Sequence, residues 1–184
     1  MNEFIYFETL SYLCDYVHRR LAKEGIQFNS TILQHYPANT KTADALETDC
    51  LEFENIFLLR PSKLDVLKTL SEDNLSEVMD AIQVELFNDA INWGLIVALF
   101  STVGHLASSY VHQGRSYMVQ DLVASIGDYF FKNSTKMDNF LEPRRWGGYI
   151  LKPKKKNYML TGLAFTGVAI IGMVIGMILL QINC

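Results

Sequence analysis

The sequence predicts an all-α protein: amphipathic helices bundled around one central apolar helix, with one transmembrane helix near the C-terminal end. Three observations predict this. Residues 84–104 read VELFNDAINWGLIVALFSTVG, an acidic amphipathic run that passes through Asn92-Trp93-Gly94 into an almost wholly apolar stretch. Apolar stripes at helical spacing recur on either side of it, with no convincing strand pattern. From Met159 to Leu180 no residue is charged.

The chain of 184 residues has room for one domain with a sizeable core. In the first helix Leu10, Leu13, Cys14, Val17 and Leu21 share a face, and Gly25 follows as a C-cap. The segment from Phe28 to Thr40 holds Pro37 and turn formers and reads as a loop. A weaker stripe follows at Leu46, Cys50, Phe53 and Phe57, and Arg60-Pro61-Ser62 breaks the chain again. Leu75, Val78, Met79, Ile82 and Leu86 make another helix, with Asn74 and Glu77 ahead of it near capping-box spacing. The central helix runs from about Asn92 to Val111; being hydrophobic on every side, it must be buried. Val119, Leu122, Val123, Ile126 and Phe130 make a last amphipathic helix.

The expected organisation is a helical domain over 1–151, a basic linker over 152–158 and a transmembrane tail anchor over 159–181. About 22 residues at ~1.5 Å rise span roughly 33 Å, enough for a hydrocarbon core of about 30 Å. Lys152, Lys154, Lys155 and Lys156 flank this segment on its N-terminal side, which predicts that the domain stays cytosolic. Gly172 and Gly176 form a GxxxG pair that lets two membrane helices approach. Glu3, Glu8 and Asp15 interrupt any apolar run at the N-terminus, so no signal peptide is expected.

The net charge of −4 argues against nucleic acid as a partner. Three cysteines without metal spacing argue against a disulfide framework or zinc and point to a reducing compartment. An enzyme is not expected, and neither is a cofactor or metal. His18, His35, His105 and His112 show no nucleophile or metal spacing, there is no Gly-rich phosphate loop, and Ser101 reads as bonding a backbone carbonyl.

The 84–104 segment resembles the first homology motif of the B-cell lymphoma (Bcl) family of apoptosis regulators. Glu85-Leu86-Phe87, Asp89, Asn92-Trp93-Gly94 and Ile96-Val97-Ala98 carry the likeness, while Leu95 stands where the family has Arg. Tyr16-Val17-His18-Arg19-Arg20-Leu21 through Gly25 is similar to the fourth motif, above all in the Bok branch, to which Arg60-Pro61-Ser62 is also similar. Leu141-Glu142-Pro143 followed by Trp146-Gly147-Gly148-Tyr149 resembles the second, with Tyr149 in the place of the family's tryptophan. The third motif fits in two registers. With Leu46 as its key leucine, Cys50 and Leu51 replace the family's Gly-Asp; with Leu46, Cys50, Phe53 and Phe57 as its four apolar positions, Glu54 and Asn55 do. Leu160-Thr161-Gly162, Gly167 and Gly172 resemble the tails of long pro-survival members.

The resemblance implies a Bcl-type bundle and a groove that receives amphipathic death-motif helices of pro-apoptotic relatives. By position the groove would use Ile82, Leu86, Asn92, Gly94, Leu95, Val97 and Ala98, with Trp93, Gly147, Gly148 and Tyr149 supporting it. Leu95 cannot make the ion pair that the family's Arg makes with an Asp of the partner. The implied function is a pro-survival regulator on the cytosolic face of the mitochondrial outer membrane or endoplasmic reticulum, single-pass and tail-anchored. Homo- or heterodimers and the lipid membrane are its further partners. The alternatives are a Bok- or Bak-like pore-former of the mitochondrial outer membrane, and a tail-anchored helical adaptor unrelated to cell death.

Overall fold

A computed structural model describes residues 3–28, 38–58, 72–88, 91–141 and 145–151. Their elements are α1 (Glu3–Ala22), α2 (Thr40–Phe53) continuing into a π-helical turn (Glu54–Leu58), α3 (Glu72–Leu86), α4 (Trp93–His112), α5 (Met118–Lys132), α6 (Ser134–Leu141) and α7 (Gly148–Leu151). The described residues form an all-helical bundle, and α4 is its centre. From Leu95 to Gly104 every residue of α4 is buried. Helices α1, α2 and α5 pack on it, α3 packs on α5, and α7 closes over α2. By length and composition α4 could cross a membrane, yet it is mostly enclosed by protein. An apolar surface all round is satisfied here by neighbours on all sides.

The stripes account for the packing. Leu10, Leu13, Cys14, Val17 and Leu21 of α1 are all buried, as are Leu75, Val78, Met79, Ile82 and Leu86 of α3. The same holds for Val119, Leu122, Val123, Ile126 and Phe130 of α5, and for Leu46, Cys50 and Phe53 of α2. Gly25 ends the turn after α1 with φ +75°, a conformation that costs a residue with a Cβ, and the Ile26 N–H bonds back to the Leu21 carbonyl at 3.1 Å. Asn39 caps α2, its side chain accepting from the Thr42 N–H at 3.3 Å.

One boundary differs from the sequence expectation. Helix α3 begins by Glu72, so Asn74 lies inside its first turn and is not its cap. The loop expected over 28–40 is described only at its two ends, and the break at 60–62 lies outside the described residues.

Helices α1 and α4 cross closely at Gly104. A Cβ there would stand 2.6 Å from Cε1 of Tyr16, a ring whose hydroxyl is itself bonded to Glu54. Overpacking of this kind costs about 1–3 kcal/mol, against about 1 kcal/mol that alanine gains over glycine in a helix. Gly104→Ala is therefore expected to lower the urea midpoint of the full chain in detergent. A midpoint at or above that of the wild type would mean that the Tyr16 ring can step aside.

Candidate partner-helix groove and its aromatic support

Helix α4 starts where Asn92 leaves extended backbone (φ −146°, ψ 163°) and its side chain accepts from the Leu95 N–H at 3.0 Å. Such a cap is worth about 1 kcal/mol and fixes where the helix begins. Asn92, Trp93 and Gly94 are half-buried at this end of the bundle. The apolar candidates lie deeper. Val97 and Ala98 on α4 and Ile82 on α3 are fully buried, Leu86 nearly so, and Leu95 keeps 7% of its surface exposed. All five belong to one continuous core, against which Trp93 packs.

Trp93 is held by an aromatic group from the end of the described chain. Its ring centroid lies 4.7 Å from Phe140, 5.1 Å from Tyr149 and 5.4 Å from Trp146. Trp146 in turn stacks on Tyr12 at 4.5 Å and on Phe100 at 5.8 Å, and its Nε1 donates to Thr9 Oγ1 at 3.1 Å. Sequence reasoning put Tyr149 alone in the tryptophan's place. The structure puts Trp146 and Tyr149 together behind Trp93, both fully buried. Arg145, directly before Trp146, has left-handed backbone with φ 48°. Gly147 is exposed in the turn, and Gly148 is buried as the first residue of α7. A lone Trp two residues before a helix in an otherwise polar turn is the signal that could have identified this anchor.

Tyr149 also reaches α2, where its hydroxyl donates to the Asp49 carboxylate. Burial, above all, raises the phenol's pKa and keeps that proton on Tyr149. Next to Asp49, Cys50 is seated against the backbone of α4. Its Sγ lies 3.8 Å from the Val97 carbonyl, and Ser101 Oγ spans the two helices, 2.6 Å from Val97 O and 3.2 Å from Cys50 O. Ser101 thus bonds backbone carbonyls, as its place on an apolar helix suggests. Of the residues that the two registers put in the place of the family's glycine, Cys50 lies on α2 against α4 and Glu54 opens the π-helical turn beyond α2.

Of the remaining candidates, Asp89, Glu142 and Pro143 lie outside the described residues, as do Lys152, Lys154, Lys155, Lys156 and the whole segment 159–181. The tail anchor is therefore a matter of sequence.

The model of the Bcl-2 family of apoptosis regulator proteins matches residues 43–138, just over half of the chain. The chain belongs to the Bcl-2 family. The match runs from the first turn of α2 into α6 and includes the capped start of α4. Membership sets aside the reading as an adaptor unrelated to cell death. Bcl-2-related ovarian killer protein of Mus musculus is 26% identical over 124 residues, covering 64% of this chain and 58% of that protein. Its counterpart in Rattus norvegicus matches to the same extent. The chain thus aligns with less than two thirds of the length of these relatives. Among solved structures, Trichoplax adhaerens trBcl-2L2 bound to trBak BH3 has a TM-score of 0.62 at 23% identity, covering 81% of this chain and 97% of that one. Chicken BOK has a TM-score of 0.61 at 20% identity, covering 82% and 97%. At these identities the two structures establish the shared fold.

Proposed function

We propose that this family member is a pro-survival regulator that captures amphipathic death-motif helices of pro-apoptotic relatives. The observation that carries the reading is the start of α4. Asn92 caps it, Gly94 presents no side chain where a partner helix would cross, and Trp93 is fixed from behind by three aromatic rings. Ile82, Leu86, Leu95, Val97 and Ala98 supply the apolar pockets. Because all five are buried, the partner enters by displacing what covers them, in the manner of helix-in-groove recognition. The trBcl-2L2 structure, whose occupant is a BH3 segment, supports this mode by analogy of fold. The segment 159–181, with Lys152, Lys154, Lys155 and Lys156 before it, holds the domain on the cytosolic face of the mitochondrial outer membrane or endoplasmic reticulum.

A second reading, a pore-former of the outer membrane, is favoured by the likeness to the ovarian killer proteins and by the similarity of Tyr16 through Gly25 to the Bok branch. One experiment separates them. Full-length chain is inserted into dye-filled liposomes and challenged with a pore-forming relative, with and without a death-motif helix. Suppression of dye release, relieved by the helix, supports the pro-survival reading. Dye release by the chain alone overturns it in favour of the second.

A further inference from the structure

Helix α2 ends in a π-helical turn, and Glu54, its first residue, points into the bundle with only 3% of its surface exposed. Such turns are rare and concentrate at functional positions. One oxygen of Glu54 accepts the Tyr16 hydroxyl, and the other accepts Arg20 Nε at 2.9 Å. The Arg20 side chain is itself 14% exposed, and its other arm donates to Glu24. Glu24 accepts both hydrogen-bond contacts of Ser108 Oγ, at 2.8 and 2.9 Å, and lies 3.0 Å from His112 Nε2. One desolvated carboxylate at the end of α2 is thereby tied to α1, and through Glu24 to the end of α4.

The rest of the seam between α1 and α2 differs in kind. Arg19 meets Asp44 at 2.6 Å and Glu47 at 3.2 Å, and Lys23 meets Glu47 at 2.8 Å, all on side chains with access to water. Ion pairs of that sort are screened and contribute little. A buried pair behaves otherwise: the intact pair adds little, but loss of one partner strands a charge in the core. Burial, the largest influence, raises the Glu54 carboxyl pKa above the ordinary carboxylate range, although Tyr16 and Arg20 both pull it down. A folded pKa above the unfolded one gives stability that is present at low pH and lost as pH rises through the folded value. Ionisation of Glu54 therefore weighs against its own buried position. The titratable and charged groups around it are Tyr16 and Arg20 on α1, Glu24 in the turn after α1, and Cys50 one turn back on α2. Helix α4, also packed on the turn, carries His105, Tyr110 and His112, of which His112 reaches the network through Glu24.

We propose that Arg20, Tyr16 and Glu54 form a clasp that decides whether the C-terminal half of α2 stays in the bundle. With Arg20 in place the turn is held. With Arg20 removed, the carboxylate leaves for water and takes the turn and the adjoining residues of α2 with it, uncovering Cys50 and Phe53. The clasp operates whichever direction the protein has in cell death.

Two native thiols report on it. Cys50 is fully buried on α2, and Cys14 is 1% exposed on α1. The full chain in detergent is pulsed with a maleimide at fixed pH, and labelling of each cysteine is read by peptide mass spectrometry. In Arg20→Met, Cys50 is expected to label about tenfold faster or more than in the wild type, while Cys14 keeps its rate. Adding Glu54→Gln to Arg20→Met is expected to bring Cys50 back to within about threefold of the wild type, since no charge is then stranded. Glu54→Gln alone leaves Arg20 paired with Glu24, so it is expected to raise Cys50 labelling less than Arg20→Met does, and the double variant decides the matter if Arg20→Met does not fold. The proposal is overturned by an unchanged Cys50 rate in Arg20→Met, by Cys14 and Cys50 rising together, or by a Cys50 rate in the double variant more than about threefold above that of the wild type.

Discussion

Trp146→Ala is expected to cost the folded chain about 3–5 kcal/mol, the range for removing a large aromatic from a packed core. Three features place it at the upper end. Trp146 is fully buried, so the whole indole would leave a cavity. It touches Tyr12 of α1, Phe100 of α4 and Trp93 at the start of α4, so the cavity would open where three parts of the bundle meet. Its Nε1–H is bonded to Thr9 Oγ1, which is itself bonded to the Ile5 carbonyl at 2.8 Å, so a polar partner in α1 also loses a neighbour. Trp146→Phe keeps much of the volume and loses mainly the hydrogen bond, worth about 1 kcal/mol, together with part of the stacking. The check is the urea midpoint of both variants beside the wild type, in detergent. A Trp146→Ala midpoint close to that of the wild type would mean that the end of the chain is not docked on α1 and α4 as described.

That anchor also marks where the sequence was legible and where it was not. Helices α1, α3, α4 and α5 each carry apolar residues over three or more turns, and period alone located them. Asn92 was legible as a cap because a polar residue able to accept an N–H stands directly before an apolar run. Helices α6 and α7 escaped notice. Of α6 only Met137 and Leu141 are buried, and α7 is four residues long, too few to show a period. Trp146 escaped because its role depends on contacts far away in the chain. Its partners Thr9, Tyr12, Trp93 and Phe100 share no local pattern with it. Glu54 is a further case. By sequence it is one more acid at the end of an acidic helix, and only the π-helical turn shows that it faces inward to Tyr16 and Arg20. The aromatic support of the candidate groove was thus half legible, through Trp93 and Tyr149. The burial of its apolar pockets was not, because an amphipathic stripe reads the same whether its cover is fixed or displaceable.

Leu95→Arg is expected to tighten binding of a death-motif helix that carries the usual Asp by about tenfold or more, while leaving an Asp→Ala version of that helix unimproved. Leu95 follows directly on Asn92-Trp93-Gly94, and its N–H is the one that Asn92 caps, so its place at the head of α4 is fixed. In the wild type an Asp arriving there meets an apolar side chain and forfeits water without gaining a partner, a penalty of several kcal/mol if it is fully desolvated. A guanidinium supplies two donors in a geometry matched to a carboxylate. The substitution also has a cost in the free protein. Leu95 is 7% exposed, so the arginine must extend its stem along the bundle and lift its charge to water. That cost falls equally on both helices and cancels from their ratio, which makes the double-mutant cycle the decisive measurement. Four titrations give it: full-length wild type and Leu95→Arg, each with the Asp and the Ala helix. The wild type is expected to bind the Ala helix at least as well as the Asp helix, and Leu95→Arg to reverse that order. If the ratio of the two affinities is the same in both proteins, residue 95 does not face the partner's Asp, and the groove must be sought on another face of the bundle.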